Sequence, residues 1–118
     1  MAEKKQYSTG LTGEALAEQH LISLGMTCLA RRYRGQDGEL DLVMLDKGTV
    51  VFVEVKYRPG GAPGSGFMAI TPAKQRRMLH AAQAFLVEQG LWGRPARFDA
   101  IEITSGGLRY VPNAFQAG

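Results

Sequence analysis

Asp41, Glu54 and Lys56 are the residues whose types and spacing could do chemistry in this chain. Glu39-Leu40-Asp41-Leu42-Val43 leads into Asp46-Lys47-Gly48-Thr49, and Val50-Val51-Phe52-Val53-Glu54-Val55-Lys56 follows. Two strand patterns joined by a short turn read as a hairpin. With Lys47-Gly48 as a two-residue loop, Asp46 faces Thr49 and, further back, Asp41 faces Glu54; a four-residue loop gives the same pairing. A three-residue loop would shift the register. Facing residues share a face with Cβ atoms roughly 4.5–5.5 Å apart, and like charges there destabilise the pair. Lys56, two residues on, is one compensating charge, and a divalent cation is the other. Hard cations such as Mg2+ bind through one or two carboxylates plus phosphate and water oxygens.

The elements that position these groups follow from the same patterns. The strand Val50–Tyr57 is apolar on both faces, with Val51, Val53 and Val55 on one and Val50 and Phe52 on the other. Such a strand is central and covered on both sides. Its second face continues as Glu54 and Lys56, and unpaired buried charges cost several kcal/mol. A first helix is expected from about Thr12 to Leu24, with Leu11, Ala15, Ala17, Leu21, Ile22 and Leu24 in one arc and Glu14 near its middle. Glu18 falls in the same arc, so periodicity does not choose between the two acids. Glu14 is nearer the helix N-terminus, where negative charge is favoured. Strands are expected near Thr27–Tyr33, Glu39–Leu45, Arg97–Thr104 and, briefly, Leu108–Val111. A second helix opens on Thr71 and Pro72 and runs to Gln89, burying Met78, Leu79, Ala82, Phe85 and Leu86. The order αβββαββ implies an α/β or α+β fold with helices on one sheet. These positions leave a metal site and a buried charge network both open.

Composition sets the outer limits. The chain has 118 residues, 45% hydrophobic and 21% charged, which fits a single soluble domain with a flexible start over residues 1–10. No apolar run has the length of a membrane span. Fourteen basic against 11 acidic residues give +3, a mild lean toward anionic partners. One cysteine, Cys28, allows no internal disulfide, and Met1–Gln6 lacks an apolar signal core, so a cytoplasmic location is expected. His20 and His80 alone, without a second cysteine, argue against a Cys/His zinc site. Pro59–Phe67 is Gly-rich without phosphate-loop spacing and reads as a mobile flap. His20 is assigned to the surface, and Trp92 and Phe98 to the core.

Gly13-Glu14, Gly38-Glu39-Leu40-Asp41-Leu42-Val43 and Val51-Phe52-Val53-Glu54-Val55-Lys56-Tyr57-Arg58 together resemble the YraN-like family of uncharacterised bacterial proteins. That family is similar to archaeal Holliday junction resolvases and to the PD-(D/E)xK nuclease superfamily, although Leu40 stands where the superfamily name has Pro. The resemblance covers nearly the whole chain, including Lys74 and Arg97-Phe98-Asp99. It implies a restriction-endonuclease-like mixed central sheet flanked by helices and a metal-dependent endonuclease-like activity on nucleic acid, DNA foremost. Asp41 and Glu54 would hold Mg2+ or Mn2+ with the carbonyl of Val55, Glu14 would complete the acidic set, and Lys56 would orient or deprotonate the attacking water. Arg58, Lys74, Arg76 and Arg77 would track the phosphate backbone, with Arg31, Arg32 and Arg34 clustered nearby. Glu39 shares the face of Asp41 and reads as a solvated strand-end acid. A homodimer is expected by analogy with the resolvases. The alternatives are a non-catalytic nucleic-acid-binding module on the same fold and a protein-interaction domain.

Overall fold

A strand that is apolar on both faces must be covered on both, and the two helices do this. The computed structural model describes residues 9–63 and 70–116. Along the chain lie α1 (Thr9–Ser23), β1 (Thr27–Arg34), β2 (Glu39–Asp46), β3 (Thr49–Tyr57), α2 (Pro72–Glu88), β4 (Ala96–Thr104) and β5 (Gly107–Phe115). The strands form one mixed sheet in the order β1-β2-β3-β4-β5, with β3 central. All neighbours are antiparallel except β3 and β4, which run parallel across the α2 crossover. The α/β architecture and the order αβββαββ are therefore those expected from the sequence.

Each face has its own apolar layer. On one, Met78, Ala81, Ala82, Phe85 and Leu86 of α2 pack on Leu40, Val43, Val50, Phe52 and Phe98. On the other, Ala17 and Leu21 of α1 pack on Leu42, Met44, Val51, Val53, Ile101 and Ile103. A large apolar side chain contributes roughly 1.5–3 kcal/mol when fully buried. Two such layers can hold a few charged groups in otherwise costly positions. Thr71 caps α2 as expected, its hydroxyl accepting from the Lys74 N–H at 3.2 Å, with Pro72 opening the helix.

Several expectations are corrected. Helix α1 starts at Thr9, so Glu14 lies beyond its first turn and the helix dipole does not distinguish it from Glu18. Its buried line is Gly13, Ala17 and Leu21, while Ala15, Ile22 and Leu24 are exposed. A helix crossing a sheet buries the residues four apart that meet it, a narrower stripe than the arc drawn from hydrophobicity. The fit is close at Gly13, where a Cβ would stand 2.6 Å from the Cβ of Tyr57. His20 is half-buried rather than solvated, its ring edge-on to Tyr110 at 6.0 Å. Trp92, assigned to the core, is 64% exposed in the loop between α2 and β4; Phe98 is in the core.

Strand β5 is also longer than the expected Leu108–Val111. It continues through Pro112 and Asn113, whose φ is +52°. Edge strands tolerate proline because one side of the backbone needs no ladder partner. Of the flap expected over Pro59–Phe67, residues 64–67 lie outside the described residues, as do residues 1–8 of the expected flexible start. The preceding part turns back at Gly61, whose carbonyl accepts from the Ser105 N–H and hydroxyl at 3.3 and 3.1 Å. Among the described residues, no helix is long and apolar enough to cross a membrane.

Candidate metal and phosphate site

The β2–β3 turn decides where the acids fall. Lys47 and Gly48 both have positive φ, +52° and +91°, as a two-residue type I′ turn requires. Asp46 faces Thr49, and the ladder runs from there to Leu42 and Val53. The ladder ends there, one position short of the facing Asp41–Glu54 pair expected from the sequence. At this point the Asp41 side chain takes over from the backbone, with Oδ2 accepting the Val55 N–H at 2.8 Å. Asp41 and Glu54 are within hydrogen-bonding reach of each other, and Glu54 is 2% exposed.

Two adjacent carboxylates, one buried and the other half-buried, cannot both stay charged without help. Burial, reinforced by the charge of Glu54 and, more weakly, of Glu14, pushes the Asp41 carboxyl up to about 8 despite the Val55 N–H. Glu54 has two cationic neighbours on one oxygen: Lys56 Nζ at 3.0 Å and Lys74 Nζ at 2.6 Å from Oε2. Burial opposes the Lys74 ammonium, but contact with Glu54 outweighs it and holds its pKa above the usual lysine value. Lys74, assigned from the sequence to phosphate, thus lies on the acid itself.

The donor chemistry fits a hard divalent cation in one respect. Two carboxylates in contact are relieved by a shared positive charge, and the Val55 peptide adjoins them. Glu14 is brought to the same cavity, but its Oε1 accepts from Arg32 Nε at 2.8 Å. Among the described residues, no three carboxylate, imidazole or thiolate groups form a ready-made ligand cluster.

The cavity, of about 490 Å³, opens between the β1–β2 turn, α1 and the start of α2. Glu14, Asp41, Glu54 and Lys74 line it, as do Arg32, Arg34, Glu39 and Arg77. Lys56, Arg58 and Arg76 are not among its lining; Arg58 and Arg76 are exposed elsewhere on the surface. The β1–β2 turn sits tightly on α2, because a Cβ at Gly38 would overlap the Arg77 carbonyl. His80 Nδ1 and Asp37 Oδ2, 2.8 Å apart, tie the same two elements from outside. Glu39, half-exposed, has Arg34 at 3.8 Å, in keeping with a solvated strand-end acid.

The sequence patterns named Arg32 among nearby basic residues but missed its placement, and they missed Glu102 altogether. Arg32 has φ +51° within β1 and lies between the pairs Arg31–Leu42 and Tyr33–Leu40, opposite Asp41. Alternation along Arg31-Arg32-Tyr33-Arg34 gives no hint of this backbone twist. Glu102 is 1% exposed, in register with Lys56 on one side and Arg109 on the other. The signal for it was present: an acid at the next alternate position after Phe98 and Ala100, on an otherwise apolar stretch of that strand face.

Relatives of the chain agree with its family resemblance and name no activity. The model of the uncharacterised protein family UPF0102 matches residues 13–103. A UPF0102 protein of Saccharophagus degradans is 45% identical over 112 residues, 94% of this chain and 95% of its own length. One from Stutzerimonas stutzeri is 45% identical over 115 residues, covering 93% and 96%. One from Pseudomonas putida is 39% identical over 122 residues, covering 98% and 99%. The chain belongs to the UPF0102 family.

Proposed function

We propose that this UPF0102 protein hydrolyses phosphodiester bonds in nucleic acid, DNA foremost, with Mg2+ or Mn2+ held by Asp41, Glu54 and the carbonyl of Val55. The observation that carries this reading is the contact of a half-buried Asp41 with a buried Glu54 in a cavity also lined by Arg32, Arg34, Lys74 and Arg77. A phosphodiester repels hydroxide; a bound dication would lower the pKa of a water and offset the developing phosphate charge. The chain's own groups do the rest. Lys56, fixed beside Glu54 by the strand, orients the attacking water by donating to its oxygen and offsets charge on the phosphate. Glu14 completes the acidic set once Arg32 turns to the substrate. Lys74, Arg77 and, from outside the cavity, Arg58 and Arg76 grip backbone phosphates without reading bases. The resemblance to resolvases and PD-(D/E)xK nucleases favours the same chemistry, and by the same analogy a homodimer.

A second reading, a nucleic-acid-binding module without turnover, has support in the two lysines that already neutralise Glu54. One experiment separates them. Purified protein is incubated with single-stranded, duplex and branched DNA, and with RNA, in Mn2+, in Mg2+ and in EDTA. Metal-dependent cleavage that Asp41→Asn and Glu54→Gln abolish supports hydrolysis. Binding that persists in EDTA, weakens steeply with salt and survives Glu54→Gln, with no cleavage, supports the module. Light scattering at the same concentration reads the dimer.

A further inference from the structure

Lys56 and Lys74 reach the same oxygen of Glu54, but they are held differently. Lys56 is two residues along β3 on the same face, so the strand itself keeps it beside Glu54. Lys74 comes from the first turn of α2 and makes the shorter contact at 2.6 Å. Lys74 lines the cavity and Lys56 does not. The Lys74 side chain is 30% exposed against 19% for Lys56, and the charge of Asp41 acts on it as well as that of Glu54.

We infer that the Lys74 ammonium is a built-in stand-in for the cation: it occupies the positive place beside Glu54 and Asp41, and gives it up when a divalent ion and a phosphate arrive together. The inference rests on the reading of Asp41 and Glu54 as a cation site. Lys56 and Lys74 both lie on Oε2, and a dication on this carboxylate, even at Oε1, would stand a few ångströms from two ammonium groups that repel it. That repulsion favours withdrawal of one lysine. Lys56 is the more buried and does not line the cavity, whereas Lys74 has open space on the cavity side. Withdrawal in that direction carries its charge toward Arg32, Arg34 and Arg77, where a backbone phosphate supplies a new partner.

Metal and polyanion therefore bind cooperatively. Each favours the state in which Lys74 has left Glu54, and coupling of this kind is reciprocal. Without nucleic acid, Lys74 competes with the metal and weakens its binding. With nucleic acid present, the competitor has somewhere to go.

The test is Mn2+ titration, by calorimetry or by the electron-spin signal of the free ion, on wild type, Lys74→Met, Lys56→Met and Asp41→Asn. Each is measured alone and with a short phosphorothioate oligonucleotide, and thermal melts verify folding. Lys74→Met should bind Mn2+ about tenfold tighter than wild type without nucleic acid, equivalent to about 1.4 kcal/mol. Lys56→Met should gain less. The oligonucleotide should tighten Mn2+ binding in wild type and lose that effect in Lys74→Met. Unchanged or weaker Mn2+ binding by Lys74→Met, with binding still abolished by Asp41→Asn, overturns the stand-in role and leaves the cation site intact. A larger gain in Lys56→Met also overturns it. No Mn2+ binding by any of the four proteins removes both the stand-in and the cation site.

Discussion

Asp41 and Asp99 perform the same local task in neighbouring parts of the sheet and come to opposite ends. Each stands where a ladder is interrupted, and each accepts a backbone N–H with its carboxylate: Asp41 from Val55 at 2.8 Å, Asp99 from Asn113 at 2.9 Å. Around Asp99 the remaining partners are donors. Arg97 Nε lies 3.1 and 3.2 Å from its two oxygens and the Tyr110 hydroxyl donates at 2.5 Å, while Arg97 also reaches Asp46 at 3.0 Å. Burial and the hydrogen bond to Asp99 push the Tyr110 hydroxyl up to about 12, so it remains a donor at any physiological pH. Around Asp41 the next partner is another acid, Glu54, at the floor of an open cavity. Burial of a carboxylate is thus not itself the mark of a site. The mark is a buried carboxylate whose protein partners leave the charge unresolved and accessible.

The comparison breaks most sharply if Asp99 is removed. Asp99→Ala leaves Arg97, Tyr110 and the Asn113 N–H without their shared acceptor. Loss of one partner of a buried pair costs about 3–5 kcal/mol. Urea denaturation should show a loss of this size, the same with and without Mn2+. A loss below about 1 kcal/mol would mean that the network is no more than decoration on β5.

The next effect belongs to Asp41 and is read through pH. In the folded protein its carboxyl is held at about 8, whereas in the unfolded chain it returns to about 3.9. Between those values the folded state binds a proton that the unfolded state has released, so stability falls as pH rises. The slope from this group is at most about 1.4 kcal/mol per pH unit, and the contribution is fully present below pH 4 and lost through pH 8. Melts of wild type from pH 5 to pH 8 should show the decline, and Asp41→Asn should flatten it. Mn2+ should restore stability at pH 8 in wild type alone, since the cation replaces the proton. A wild-type profile already flat over this range would show that the two acids are compensated from within, as Asp99 is.

What the sequence reveals of this contrast depends on whether the cause is local. The nearness of Asp41 and Glu54 starts from two residues, Lys47 and Gly48, because their type I′ turn sets the register as far as Leu42 and Val53, one position short of the acids. The central position of β3 was legible because all its apolar positions are contiguous. The Asp99 network was not, because Tyr110 and Asn113 reach it only through a β5 that passes Pro112, which in isolation reads as an end. Arg32 was named in the basic cluster, but its left-handed backbone was hidden for a related reason: no residue type announces it. Lys74 was seen as a cation near the site, but a helix pattern does not say whether its side chain turns outward to phosphate or inward to Glu54.

The smallest effect makes the finest distinction. Glu14 and Glu18, one turn apart on α1, are each 13% exposed and each paired with an arginine of β1, Glu14 with Arg32 at 2.8 Å and Glu18 with Arg31 at 2.6 Å. Hydrophobic periodicity could not choose between them, and ion-pair geometry does not either. Their arginines are half-exposed or more, so both pairs belong to the class that contributes little to stability. Glu14→Gln and Glu18→Gln should therefore lower the melting temperature slightly and by similar amounts. Only Glu14 lines the cavity, because Arg32 rather than Arg31 is turned beside Asp41 by its positive φ. Glu14→Gln should then weaken Mn2+ binding or Mn2+-dependent cleavage severalfold, and Glu18→Gln should leave both unchanged. Equal effects of the two substitutions would place Glu14 with the surface pairs, and the acidic set would contract to Asp41 and Glu54.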